Sequence, residues 1–163
     1  RMQVESSTAD HVETPLEEDV GARTVIEAFH NTVAASGDQV AIRTRGGDFE
    51  ITWSALKDRV DALAAGLSKL GLEPGDTLAL MFPNQFEFHL ADLAGMTVGA
   101  TPFSLYVTAS PEQIQYVVGD AGAKIAVVDA QFAEKFLAVK GDLPDLDAEL
   151  AAEAAVFDGK ARD

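Results

Sequence analysis

The sequence predicts an α/β fold: a mostly parallel sheet flanked by helices, with an early β-hairpin. Three observations carry this. Apolar runs of strand length at 77–82, 100–105 and 124–128 alternate with helix-length segments, as strands joined by crossover helices do. The helical segments open on capping residues and mostly close on glycine. Gly46-Gly47-Asp48 joins two short stretches rich in β-formers, 40–45 and 49–52, as a tight hairpin.

Each element has a local reason. Thr24-Val25-Ile26-Glu27 reads as a capping box, followed by an apolar stripe of Val25, Ile26, Phe29 and Val33 and a C-cap at Gly37. After the hairpin, Thr52 caps a helix running to about Leu70. Leu56, Val60, Leu63, Leu67 and Leu70 fall on one face, with Lys57, Asp58, Asp61 and Lys69 on the other. The turn Glu73-Pro74-Gly75-Asp76 leads into 77–82, whose unbroken apolar character fits a strand buried on both faces.

Pro83-Asn84 ends that strand. The helix over 86–98 is apolar nearly all round, the mark of a buried helix. Gly99 closes it, and 100–105 reads as a second short buried strand. Ser110-Pro111-Glu112-Gln113 is a further helix start, with Ile114, Val117 and Val118 facing inward. A third strand, 124–128, ends at Asp129, which can cap a helix carrying Phe132, Phe136 and Val139. Beyond Gly141 the chain turns acidic and alanine-rich, and 147–155 reads as helical.

The 163 residues, 47% of them apolar, suit one domain with a real core. The absence of cysteine excludes disulfides, thiolate zinc sites and a cysteine nucleophile. The formal charge of −15 is carried largely by the ends. Residues 1–22 read as a flexible acidic tail, 23–140 as the ordered body, and 141–163 as an acidic, alanine-rich C-terminal segment. Nucleic-acid binding needs a basic footprint that this chain lacks. No apolar run reaches the length needed to cross a bilayer. The expected location is the cytoplasm, including the periphery of a membrane.

The residues alone yield no self-contained chemistry. There is no G-x-x-x-x-G-K-[ST] loop and no G-x-G-x-x-G after a strand. No His/Asp/Glu cluster has metal-ligand spacing. His89 and Asp92 share a helix face, where such a pair more often satisfies itself than orients a base. Ligands of open α/β sheets lie at the carboxyl ends of strands. Asn84, Ser104 and Tyr106 follow two predicted strands and are therefore the pocket-lining candidates. No residue is assigned a catalytic, cofactor-binding or metal role.

Three segments carry a family resemblance: VAIRTRGGDFEITWSALKDRVDALAAGLSKLGLEPGD at 40–76, LALMFPNQFEFHLADLAGMTVGATPFSLY at 78–106, and TASPEQIQYVVGDAGAKIAVVD at 108–129. In this order they resemble the N-terminal portion of adenylate-forming, AMP-binding enzymes. The PN step, the apolar helix, GATPFSLY and SPEQI are most similar to the long-chain fatty acyl-CoA synthetase branch. The resemblance implies the N-terminal part of that family's large domain. It also implies ATP, Mg2+ and coenzyme A as cofactors of the parent enzyme, and a long-chain fatty acid as substrate. A carboxylate attacks the α-phosphorus of ATP, and the CoA thiol then displaces AMP from the acyl-adenylate.

The family's phosphate loop, of the form Y-T-S-G-T-T-G-x-P-K-G, does not occur in this sequence. The chain alone is therefore expected to be inactive and to hold none of these cofactors productively. Apolar surface left bare is expected to favour self-association. The rival reading is a non-catalytic α/β module that binds a lipid or a protein partner.

Overall fold

The computed structural model describes residues 21–146 and 148–152. The predicted acidic tail and the end of the chain fall mostly outside these residues.

Helix α1 (Val25–Ser36) starts at Thr24, whose hydroxyl accepts the amide of Glu27. The return half of the expected capping box is shifted by one residue: the Glu27 carboxylate accepts from the Arg23 amide, at 2.7 Å. Phe29 is the buried residue of this helix, while Val25 at its start is exposed. Gly37 caps the end in a right-handed conformation, not a left-handed one.

Strands β1 (Val40–Arg43) and β2 (Glu50–Thr52) pair antiparallel as expected, on either side of the Gly46-Gly47 turn. Thr52 then caps α2 (Trp53–Lys69) through the Ala55 amide. Leu56, Val60, Ala64 and Leu67 are buried. Leu70 ends on the surface, because the helix stops before it and the chain turns away.

The main sheet consists of β3 (Thr77–Met81), β4 (Thr101–Ser104), β5 (Ile125–Asp129) and β6 (Ala148–Ala152). Its order is β4-β3-β5-β6, with every pairing parallel. Strands β3 and β5 are central and buried on both faces, which explains their continuous apolar sequences.

Helix α3 (Phe86–Val98) covers one face. Leu78, Leu80, Ile125 and Val127 meet Leu90, Ala91 and Ala94 there, and α2 packs behind. Gly95 permits the close approach: a Cβ at this position would stand 2.6 Å from Leu78 Cδ2 and 3.6 Å from Pro102 Cβ. Helices α4 (Pro111–Asp120) and α5 (Ala133–Leu137) cover the other face. Ala79, Met81, Ala126 and Val128 meet Ile114, Val118 and Phe136 there. A 3₁₀ turn, Ala130–Phe132, links β5 to α5.

Three expectations are corrected. The strand over 100–105 is not buried like its neighbours: β4 is an edge strand, half-buried at Pro102 and Phe103 and exposed at Thr101 and Ser104. Proline lacks the N–H that an interior strand would need to donate, so Pro102 belongs at such an edge. Val117 faces solvent, and α4 buries Ile114 and Val118 instead.

The stretch read as a helix over 147–155 contains β6, which pairs with β5 from Ile125↔Ala148 to Asp129↔Ala152. Alanine and glutamate favour helix locally. Strand pairing along the otherwise open edge of β5 overrides that weak preference.

Helix α4 keeps its complete capping box. Ser110 Oγ accepts the Gln113 amide at 3.3 Å, and the Gln113 side chain accepts the Ser110 amide at 2.9 Å. Ser110→Ala is expected to lower the unfolding free energy by about 1 kcal/mol, read as a shift of the urea midpoint with unchanged slope.

Candidate functional site

The order β4-β3-β5 places the site. The chain leaves β3 through α3 on one face to reach β4, then crosses by α4 on the other face to reach β5. Strand order therefore reverses at β3, and the carboxyl ends of the strands at such a switch point are where open α/β sheets receive ligands.

Asn84 lies in the turn that follows β3, exposed at this carboxyl edge. Its neighbour Gln85 occupies the N-cap of α3 but makes no side-chain cap bond. The Gln85 side-chain Nε2 donates instead to Asp129 Oδ2 at 2.9 Å, tying the end of β3 to the end of β5. The other oxygen of Asp129 accepts the Gln131 amide and its side-chain Nε2, both at 3.0 Å. Asp129 thus caps the following turn, as expected, and also bridges the two central strands.

Ser104 and Tyr106 come together beside this edge, in a groove of about 590 Å³ between the loop after β4 and the outer face of α4. Thr108, Glu112, Tyr116 and Val117 complete much of its lining, and Asn84 is not part of it. Two aromatic side chains stand free on the groove: Tyr106 is 87% exposed and Tyr116 73%. The Ser110 hydroxyl donates to Glu112 Oε2 at 2.6 Å and holds that carboxyl below its ordinary range, helped by a backbone hydrogen bond.

Glu112 and Tyr116 are four residues apart and so share a helix face. That spacing was available in the sequence, but on the solvent side of α4, where an apolar stripe draws no attention. The opposite wall is held by Lys135, whose Nζ donates to the carbonyls of Val107 and Ala109 at 2.9 Å each. No local pattern reveals a contact spanning 28 and 26 residues.

The groove can offer a ligand hydroxyls, aromatic faces and one carboxylate. Among the described residues Glu112 is the only Asp, Glu, Lys, Arg or His on its lining, and an anion repels phosphate. This donor set does not fit a nucleoside triphosphate. Among the described residues no cluster of three His, Asp or Glu side chains could hold a metal ion.

His89 and Asp92 are electrostatic neighbours on α3. Burial raises the Asp92 carboxyl above its ordinary range, and His89 draws it part of the way back. His89 itself is exposed beside a shallow apolar cleft of about 400 Å³ that includes Phe29 and Trp53. No helix among the described residues is long and apolar enough to cross a membrane.

An alternating α/β chain with parallel central strands, a β3 switch point and an antiparallel hairpin defines the class of protein: an open, largely parallel α/β domain with helices on both faces of its sheet. The particular family follows from comparison. The chain belongs to the AMP-binding enzyme family, whose model matches residues 29–161.

The uncharacterised protein Rv1549 of Mycobacterium tuberculosis is 41% identical over 112 residues, covering 69% of this chain and 64% of the relative. The long-chain-fatty-acid–CoA ligase ACSBG2 of Xenopus laevis is 31% identical over 128 residues, covering 77% of this chain and 17% of the ligase. A solved Mycobacterium tuberculosis fatty acyl CoA synthetase shares the fold, with a TM-score of 0.71 and 20% identity over 76% of this chain and 25% of that one. The chain therefore spans less than two thirds of the length of each of these relatives.

Proposed function

We propose that this chain is the N-terminal part of an ATP-dependent fatty acid–CoA ligase, with residues 23–140 as its N-terminal subdomain and long-chain acids as substrates. The observation that carries the reading is the family match over 29–161, and the similarity to a long-chain ligase supports the substrate class. The reaction class requires ATP and coenzyme A, with Mg2+ to screen the phosphates. In this reading the chain contributes the buried β3–β5 sheet and a ligand-facing edge carrying Asn84, Ser104 and Tyr106. The groups that contact ATP lie elsewhere in the enzyme.

The test is ATP–pyrophosphate exchange, run on the isolated chain and on the complete reading frame. The chain is expected to match the protein-free blank with any acid. The full protein is expected to show acid-dependent exchange and to form CoA thioesters with long acyl chains. Exchange by the isolated chain would refute the placement of the chemistry elsewhere, and full-length activity confined to aromatic acids would sink the substrate class.

A second reading is favoured by one observation: the matched region makes up 64% of Rv1549, against 17% of ACSBG2. A short module of this family would bind a lipid or a protein partner without turning anything over. A reading frame that ends without adenylating activity, together with saturable binding of a fatty acid by the chain, would select that alternative.

A further inference from the structure

The loop at 105–110 has to carry the chain from the edge strand to α4 while presenting Tyr106 and Thr108 to the groove. One turn inside it is closed by the Ala109 amide, which donates to the Tyr106 carbonyl at 2.9 Å. Two further carbonyls of the loop, of Val107 and Ala109, converge on a single point, and the ammonium of Lys135 occupies that point at 2.9 Å from each. Ala109 is buried, so a carbonyl left without this donor would be poorly served by solvent. The ammonium also lies 5.6 Å from the centre of the Phe132 ring, where the ring face attracts a cation. Hydrogen bonds from a charged donor are the stronger kind. Lys135 itself belongs to α5, which is fixed to the sheet by the fully buried Phe136 next to it.

We propose that Lys135 is the positioning residue of the groove: its ammonium gathers the Val107 and Ala109 carbonyls and so holds the wall that carries Tyr106 and Thr108 in its ligand-facing shape. The wall is then built before any ligand arrives, which spares the ligand the entropy of ordering it. Two consequences follow from the chemistry. Arginine, with several N–H donors and a permanent charge, can serve both carbonyls. Methionine, with similar bulk and no donor, cannot. The proposal deepens the reading of the groove as a ligand wall, but its test needs no ligand and no turnover, so it stands or falls separately from the ligase assignment.

The experiment is amide hydrogen exchange, resolved along the sequence, on the chain and its Lys135 variants. In Lys135→Met the amides of 107–110 are expected to exchange at least tenfold faster, while those of β3 and β5 keep their protection. Lys135→Arg is expected to restore the slow rates. Unchanged exchange at 107–110 in Lys135→Met would overturn the proposal, as would failure of Lys135→Arg to restore it. If Lys135→Met does not fold, Lys135→Gln, which keeps a neutral donor, replaces it with a partial loss of protection expected and the same overturning result.

Discussion

Val127→Asp is expected to unfold the chain near neutral pH. Val127 is 2% exposed, in the middle of β5, and faces the core formed by α2 and α3. Among the described residues no charged side chain is buried. Full burial raises a carboxyl by about 3–5 pKa units, and each unit is worth about 1.36 kcal/mol. At pH 7 the ionisation linkage would therefore cost about 4 kcal/mol and burying the unpartnered polar group about 1–3 kcal/mol more, against a total stability of about 5–15 kcal/mol for a typical domain.

The sign with pH is opposite to that of a salt-bridged acid. The folded form prefers the protonated carboxyl, so the penalty is full above the raised folded pKa. It shrinks as pH falls toward the unfolded value of about 4. Urea titrations at pH 7 and pH 5 are expected to show the variant recovering stability at the lower pH relative to the parent. The control is Thr101→Asp on the exposed edge strand β4, expected to change stability by no more than about 0.5 kcal/mol. Equal losses at the two positions would refute the assignment of β5 as a central strand and β4 as an edge.

That contrast marks where the sequence was legible. Strands such as β3 and β5 announce themselves because both faces are buried and every position must be apolar or small. The capping boxes and the hairpin are equally local, since the residues that make them are within a few positions of one another. What failed was whatever depends on a distant partner. The run 100–105 resembles a buried strand in composition, yet its place in the sheet is set by the order of crossovers, and only Pro102 hinted at an edge. Ala148–Ala152 carries helix-favouring residues but pairs with β5, because an unpaired parallel strand edge is a stronger demand than a few tenths of a kcal/mol of propensity.

The site divides in the same way. Ser104 and Tyr106 were visible as polar residues alternating after a strand. Glu112, Tyr116 and Lys135 were not, because α4 was read for its buried face and the lysine reaches its carbonyls from another element. Asn84 was named by the same strand-end rule as Ser104, and the fold puts it on the same carboxyl edge but outside the groove.

Phe136→Ala is expected to remove about 3–5 kcal/mol of stability, and its route matters more than its size. Helix α5 has only five residues, far too few to hold together by its own hydrogen bonds. It exists because Phe136 is fully buried beneath the sheet with Met81, Ile114 and Val128. Truncation leaves a cavity and removes the largest buried side chain of the segment that carries Lys135. Two losses should therefore appear together: a lower urea midpoint for the whole chain, and faster amide exchange at 107–110 even where the sheet remains folded. The second distinguishes this site from any other core phenylalanine. A loss of less than 1 kcal/mol would mean that α5 is not anchored as described. A full loss of stability without early exchange at 107–110 would mean that the loop after β4 keeps its shape without the lysine, and would remove the link between the core and the groove.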